Sequence, residues 1–205
     1  MKIIIRCTNN QQAEILSKET LPQVSLIFTG NDINMFNTTD GDVFFDLIAD
    51  EHNLDNIKKD SLVFINAVIN TCNEIPENCI RINSWNGFLQ REIVEIATNK
   101  HQSFVQKTMD ALGWKFQFVA DEVGMIAPRI IAMIVNEAYF ALEDKVSTPT
   151  EIDTAMKLGT NYPYGPFEWS EKIGLKNIYL LLQKLSKQDS RYTPCNLLAT
   201  KANNS

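Results

Sequence analysis

Histidine occurs only twice in this chain of 205 residues, at His52 and His101. Neither has a second histidine or a CxxC pair within metal-ligand spacing, so no zinc-type ligand set is expected. Cys7, Cys72, Cys79 and Cys195 are too scattered for a disulfide or metal framework and read as reduced, mostly core residues. Positive charge is also in short supply. Nineteen Lys and Arg stand against 25 Asp and Glu, a net charge of −6, and no basic stripe exists to track phosphates, so nucleic acid is not an expected partner. The most apolar stretch, residues 123–142, is interrupted by Pro128, Arg129, Asn136 and Glu137, which argues against a membrane span. The opening MKIIIRC is too short in apolar residues for a signal peptide, so a cytoplasmic location is the expectation. GxSxG, Walker and HExxH patterns are missing as well.

What is present divides by period. In the first half, KIIIRC, VSLIFTG, DVFFDLIA, SLVFINAV and CIRIN are short β-rich runs. They alternate with helical stretches such as QQAEILSKE and a polar candidate, HNLDNIKKD, which predicts an α/β layer with mostly parallel strands. WKFQFV, residues 114–119, reads as one last strand, and nearly everything after it is helical. Residues 128–143 are apolar on almost every side, as in a helix at the middle of a bundle, with Pro128 in the first turn, where a missing N–H costs nothing. Thr148 with Glu151 forms a helix-start box, Gly159 reads as the stop, and EWSEKIGLKNIYLLLQKLSKQ supplies one broken helix or two short ones. The expected organisation is an α/β domain over 1–119 and an all-α domain over 120–205.

A dinucleotide site needs glycines after the first strand, so that backbone N–H groups can reach a pyrophosphate at a helix N-terminus. Here that strand runs into CTNNQQAEIL, which has none. Asn9 and Asn10 can cap the next helix or form a small anion nest. The stretch CIRINSWNGFLQREIVEIA gathers Asn83, Asn86 and Glu95 near a strand end, where α/β proteins place their sites. They read either as catalytic candidates or as loop caps, with Arg81 or Arg91 paired to the carboxylate. Tyr162, Tyr164, Phe167 and Trp169 suit a ligand pocket or, more simply, a helix-turn core.

The order NEA, IDTAMKLG, YPYGPFE and IGL within residues 123–175, followed by RYTPCNLL at 191–198, resembles the C-terminal domain of the 3-hydroxyacyl-CoA dehydrogenase family, including its 3-hydroxybutyryl-CoA members. The resemblance implies a truncated Rossmann-like domain followed by a helical domain of the 6-phosphogluconate and 3-hydroxyacyl-CoA dehydrogenase type. It also implies NAD as cofactor, an acyl-CoA ligand, and a homodimer joined through the helical domain. Under the same resemblance RINSWNGF lies where the family writes GLHFFNP, and REIVEIA where it writes MPLVEVV. Asn83 then holds the place of the catalytic histidine, Asn86 that of the asparagine, and Glu95 that of the glutamate that orients the histidine. Pro128 replaces a substrate-contacting asparagine, and Val68 a serine.

Overall fold

The structure, a computed structural model, describes residues 1–49 and 54–204. It divides into two compact units, Met1–Met125 and Ile126–Ser205.

The first unit is built on seven strands: β1 (Lys2–Arg6), β2 (Ser25–Gly30), β3 (Val43–Asp46), β4 (Val63–Ile65), β5 (Cys79–Ile82), β6 (Ile93–Ala97) and β7 (Lys115–Phe118). Their order across the sheet is β2-β1-β3-β4-β5-β6-β7, and every neighbouring pair is parallel except β5 with β6. Continuous apolar runs make β1, β3 and β4 because both faces are covered. Ile3, Ile5, Val43, Phe45, Phe64, Ile80 and Ile82 enter one layer, beneath Ile15 of α1 (Asn9–Leu16) and Val105, Met109 and Leu112 of α3 (Gln102–Leu112). Ile4, Phe44, Val63 and Ile65 enter the other, with Phe36 of α2 (Ile33–Thr38).

Three local expectations change. Thr8, not Asn9 or Asn10, caps α1, because its hydroxyl accepts from Gln11 N–H while the Gln11 side chain accepts from Thr8 N–H. The polar helix expected at HNLDNIKKD is absent from Leu54–Asp60, which runs as turns with Asn78 Nδ2 donating to Lys58 and Ser61 carbonyls; His52 and Asn53 lie outside the described residues. Residues 120–125, assigned above to the helical half, belong to the sheet unit. Arg81, with no exposed surface, ties them down by donating to Ala67 O, Val68 O, Glu122 O and the Asp121 carboxylate.

The second unit comprises α4 (Ala127–Glu143), α5 (Pro149–Thr160), α6 (Pro166–Ile173), α7 (Leu175–Ser186) and α8 (Asn196–Asn203), with no strand among its described residues. Pro128 sits in the first turn of α4, and the Thr148–Glu151 box starts α5. Gly159 does not end that helix. It runs on to Thr160, and Asn161 takes the left-handed φ of 54° instead. Gly174, at φ 92°, breaks α6 from α7.

The motif residues of this unit are fasteners. Asn136 of α4, 3% exposed, donates to Thr193 O at 2.9 Å and accepts from Cys195 N–H at 2.8 Å, so NEA holds RYTPC. Asp153 of α5 accepts from Phe167 and Glu168 N–H at the start of α6, so IDTAMKLG caps GPFE. Glycine is required at 165 because a β-carbon there would stand 2.3 Å from Asp153 Oδ1. Phe167 and Trp169 are buried, with Tyr164 edge-on to Trp169 at 4.9 Å, so core packing is their use, while Tyr162 is 37% exposed.

Candidate functional site: the carboxyl edge of the sheet

β1, β3, β4 and β5 are parallel, so their carboxyl ends share one edge, and the chain leaving each end supplies a polar group. Behind β5 come Asn83 and Ser84. The antiparallel partner β6 returns alongside, and Asn83 N–H donates to Glu95 O at 3.0 Å. The side chains meet too: Asn83 Nδ2 lies 3.4 Å from Glu95 Oε2, a long contact. Asn83 is 2% exposed and Glu95 half-buried. Asn66, at the end of β4, accepts from Ser84 N–H at 3.2 Å.

Two atoms here are buried without a protein partner, Asn83 Oδ1 and Ser84 Oγ. An acceptor facing inward with nothing to accept costs about 1–3 kcal/mol, and such groups gather where a fold gives up stability. Ser84 was not singled out from sequence. A lone serine outside any nucleophile motif carries no signal, and only burial exposes its unmet hydroxyl.

The loop that follows is held by α1. Glu14, 7% exposed, accepts from Gly87 N–H at 2.6 Å and Leu89 N–H at 3.1 Å, and Gln11 Nε2 donates to Leu47 O and Ser84 O, both at 2.9 Å. Asn86 lies in this run of turns, half-buried. The cations expected near Glu95 are engaged elsewhere: Arg81 with Asp121, and the Arg91 guanidinium 5.7 Å above the Phe88 ring. Val68 is buried, its carbonyl accepting from Gly124 N–H and Arg81. Pro128 lies in the second unit, within α4.

Farther along the edge, Arg6 and Asp46 form a two-point ion pair, Nε–Oδ1 2.8 Å and Nη2–Oδ2 2.9 Å. The Asp46 side chain is 1% exposed. Burial pushes its carboxyl above the ordinary value, against Arg6 and the N–H groups of Ile48 and Ala49, which favour the charged form. Beside the pair lies a pocket of about 240 Å³ lined by Ile33, Ile48, Ala49, Asn56 and Ile57. Cysteine chemistry is not on offer: burial raises the Cys7 thiol to about 11 and Cys79 to about 12, and burial with Asp121 raises Cys72 to about 11. Among the described residues no three His, Cys, Asp or Glu side chains gather as a metal would need, and no helix is long and apolar enough to cross a membrane.

The family model for the 3-hydroxyacyl-CoA dehydrogenase C-terminal domain matches residues 124–205. An 86-residue stretch, 41% of this chain, is 46% identical to Escherichia coli 3-hydroxyadipyl-CoA dehydrogenase, covering 18% of that protein. Residues 124–205 are therefore similar to the C-terminal domain of the 3-hydroxyacyl-CoA dehydrogenases. A second family relative, 3-hydroxybutyryl-CoA dehydrogenase of Bradyrhizobium diazoefficiens, is 36% identical over 130 residues, 60% of this chain and 44% of that one. The chain thus spans less than half the length of these curated relatives. The fold extends further than the identity. Mycobacterium tuberculosis FadB2 superposes with a TM-score of 0.72 at 16% identity, covering 99% of this chain and 93% of that one. The Ralstonia eutropha (S)-3-hydroxybutyryl-CoA dehydrogenase gives 0.69 at 15%, with the same coverage. A Rossmann-type sheet domain followed by a helical domain is therefore the architecture, as the family resemblance implies.

The family's NAD can be tested against the residues that would receive it. The loop after β1 carries side chains at every position, two of its N–H groups are taken by the Thr8–Gln11 box, and the neighbouring strand end holds a buried carboxylate. These residues do not fit a pyrophosphate.

Proposed function

We propose that this protein is a 3-hydroxyacyl-CoA dehydrogenase homologue, an oxidoreductase by descent, that lacks the family's histidine-dependent hydroxyl oxidation. The observation that carries this reading is the Asn83–Glu95 pair at the end of β5. Removing a hydroxyl proton near neutral pH needs a group that titrates there, and histidine does. A carboxamide does not titrate in that range. Asn83 can polarise a carbonyl by donating a hydrogen bond, but it cannot take the proton. Glu95 is the one titratable member of the set and acts directly only if it reaches substrate.

A second reading, a non-catalytic dimeric protein that still holds an acyl-CoA, draws support from α4. Ile126, Ile130 and Phe140 are 45%, 50% and 37% exposed, an apolar stripe along and just before that helix that a second copy would cover. Sedimentation at tens of micromolar tests the dimer, a monomer counting against it.

The function is tested by NAD-linked turnover of 3-hydroxybutyryl-CoA and acetoacetyl-CoA, with wild type beside Glu95→Gln. No turnover by either is the expected result. Wild-type activity abolished in a folded Glu95→Gln protein would make Glu95 a direct base and overturn the reading.

A further inference from the structure

The carboxyl edge of β1 and β3 is where the sheet's order turns, β2 lying on one side of β1 and β3 on the other, and open α/β sheets take ligands at such a point. We infer that in this protein that crevice is filled by its own side chains and is closed to a dinucleotide. Three observations carry this independently of the missing histidine.

First, phosphate binding at a helix start draws on free N–H groups and close backbone approach. At α1, Thr8 N–H donates to Gln11 Oε1 at 2.9 Å and Gln11 N–H to Thr8 Oγ1 at 3.2 Å, so the chain itself takes two of the donors at this end. Second, the Gln11 amide that would have to move aside is 4% exposed and ties the chain leaving β3 to the chain leaving β5, through Leu47 O and Ser84 O. Third, the adjacent Arg6 guanidinium, a group suited to phosphate, is engaged at two points by Asp46. A phosphate that displaced Asp46 would leave a buried carboxylate beside a second anion. Among the described residues, the pocket beside this pair measures about 240 Å³, below the roughly 300–1,000 Å³ that encloses drug-sized ligands, and a dinucleotide is larger still.

Equilibrium binding decides this without any turnover. NADH fluorescence and calorimetric titration with ADP-ribose, which keeps the pyrophosphate and drops the nicotinamide, are run on the full chain after a cooperative thermal melt confirms folding. A NAD-dependent member of the family serves as the positive control. The expected result is no saturation by either probe up to about 1 mM, while the control saturates. Saturable binding of either probe to this protein in the micromolar range would overturn the inference. The outcome is separable from the functional proposal: NADH binding without turnover defeats the closed crevice and leaves the loss of the base standing, whereas absent binding supports the closed crevice whatever Glu95 does.

Discussion

The helical unit and the carboxyl edge of the sheet treat their polar residues in opposite ways. In the helical unit Asn136 and Asp153 each satisfy two backbone groups, and Gly165 leaves the room that Asp153 needs. At the sheet edge Asn83 and Ser84 are as deeply buried, yet each has an oxygen with no protein partner. The first kind of residue is tied to the fold by its own contacts, whereas the second has a polar atom that the fold itself does not use. The region that matches the family model, 124–205, is the one whose motifs are locks.

Substitutions can break this contrast or sharpen it. The largest effect is expected at Arg81, which lies below the edge and behaves like the helical locks. Arg81→Ala removes the guanidinium shared by the Asp121 carboxylate and the carbonyls of Ala67, Val68 and Glu122, and should lower unfolding free energy by about 3–5 kcal/mol in a denaturant titration. Gly165→Ala forces Asp153 off α6 and should cost about 2–3 kcal/mol by the same measurement. Asn136→Ala strands Cys195 N–H and Thr193 O, a loss of about 2 kcal/mol. Ser84→Ala, although fully buried, removes an unmet hydroxyl and should leave stability within about 0.5 kcal/mol of wild type or raise it. A loss there as large as that at Asn136 would erase the contrast. The smallest effect concerns acid. Asp121 is held below its ordinary value of 3.8: burial pushes it up, but Cys72 and Arg81 hydrogen bonds and the Arg81 charge outweigh burial. A carboxyl lowered by folding stabilises above its unfolded value, and that contribution is lost as pH falls through the folded one. Asp121→Asn should therefore flatten the acid limb of stability against pH below about 4.

Much of the fold is legible in the sequence. Both-face burial writes β1, β3 and β4 as unbroken apolar runs, and the Thr148–Glu151 box and the break at Gly174 are punctuation in the chain itself. HNLDNIKKD misled because helical composition over Leu54–Asp60 yields to turns fastened by Asn78. Position 83 is a candidate from its place near a strand end, the family resemblance gives it the place of a histidine, and the structure adds its contact with Glu95. What no pattern reveals is the partnering of distant polar groups. Arg6 with Asp46, Gln11 with Ser84, and Glu14 with Gly87 are 40, 73 and 73 positions apart. They decide how the edge is filled, and each is an ordinary polar residue until the sheet brings it to its partner.

Under the proposed function the edge lacks more than the histidine, and Asn83→His is the substitution that probes this. This substitution introduces a side chain that titrates near neutrality where Glu95 Oε2 lies 3.4 Å from Asn83 Nδ2, and changes nothing at Val68, Pro128, Thr8 or Gln11. NAD-linked turnover of 3-hydroxybutyryl-CoA should stay at the wild-type background. A rise approaching the roughly 10²–10⁴-fold that one positioned acid–base group supplies would contradict the account, because it would show a site lacking only its histidine.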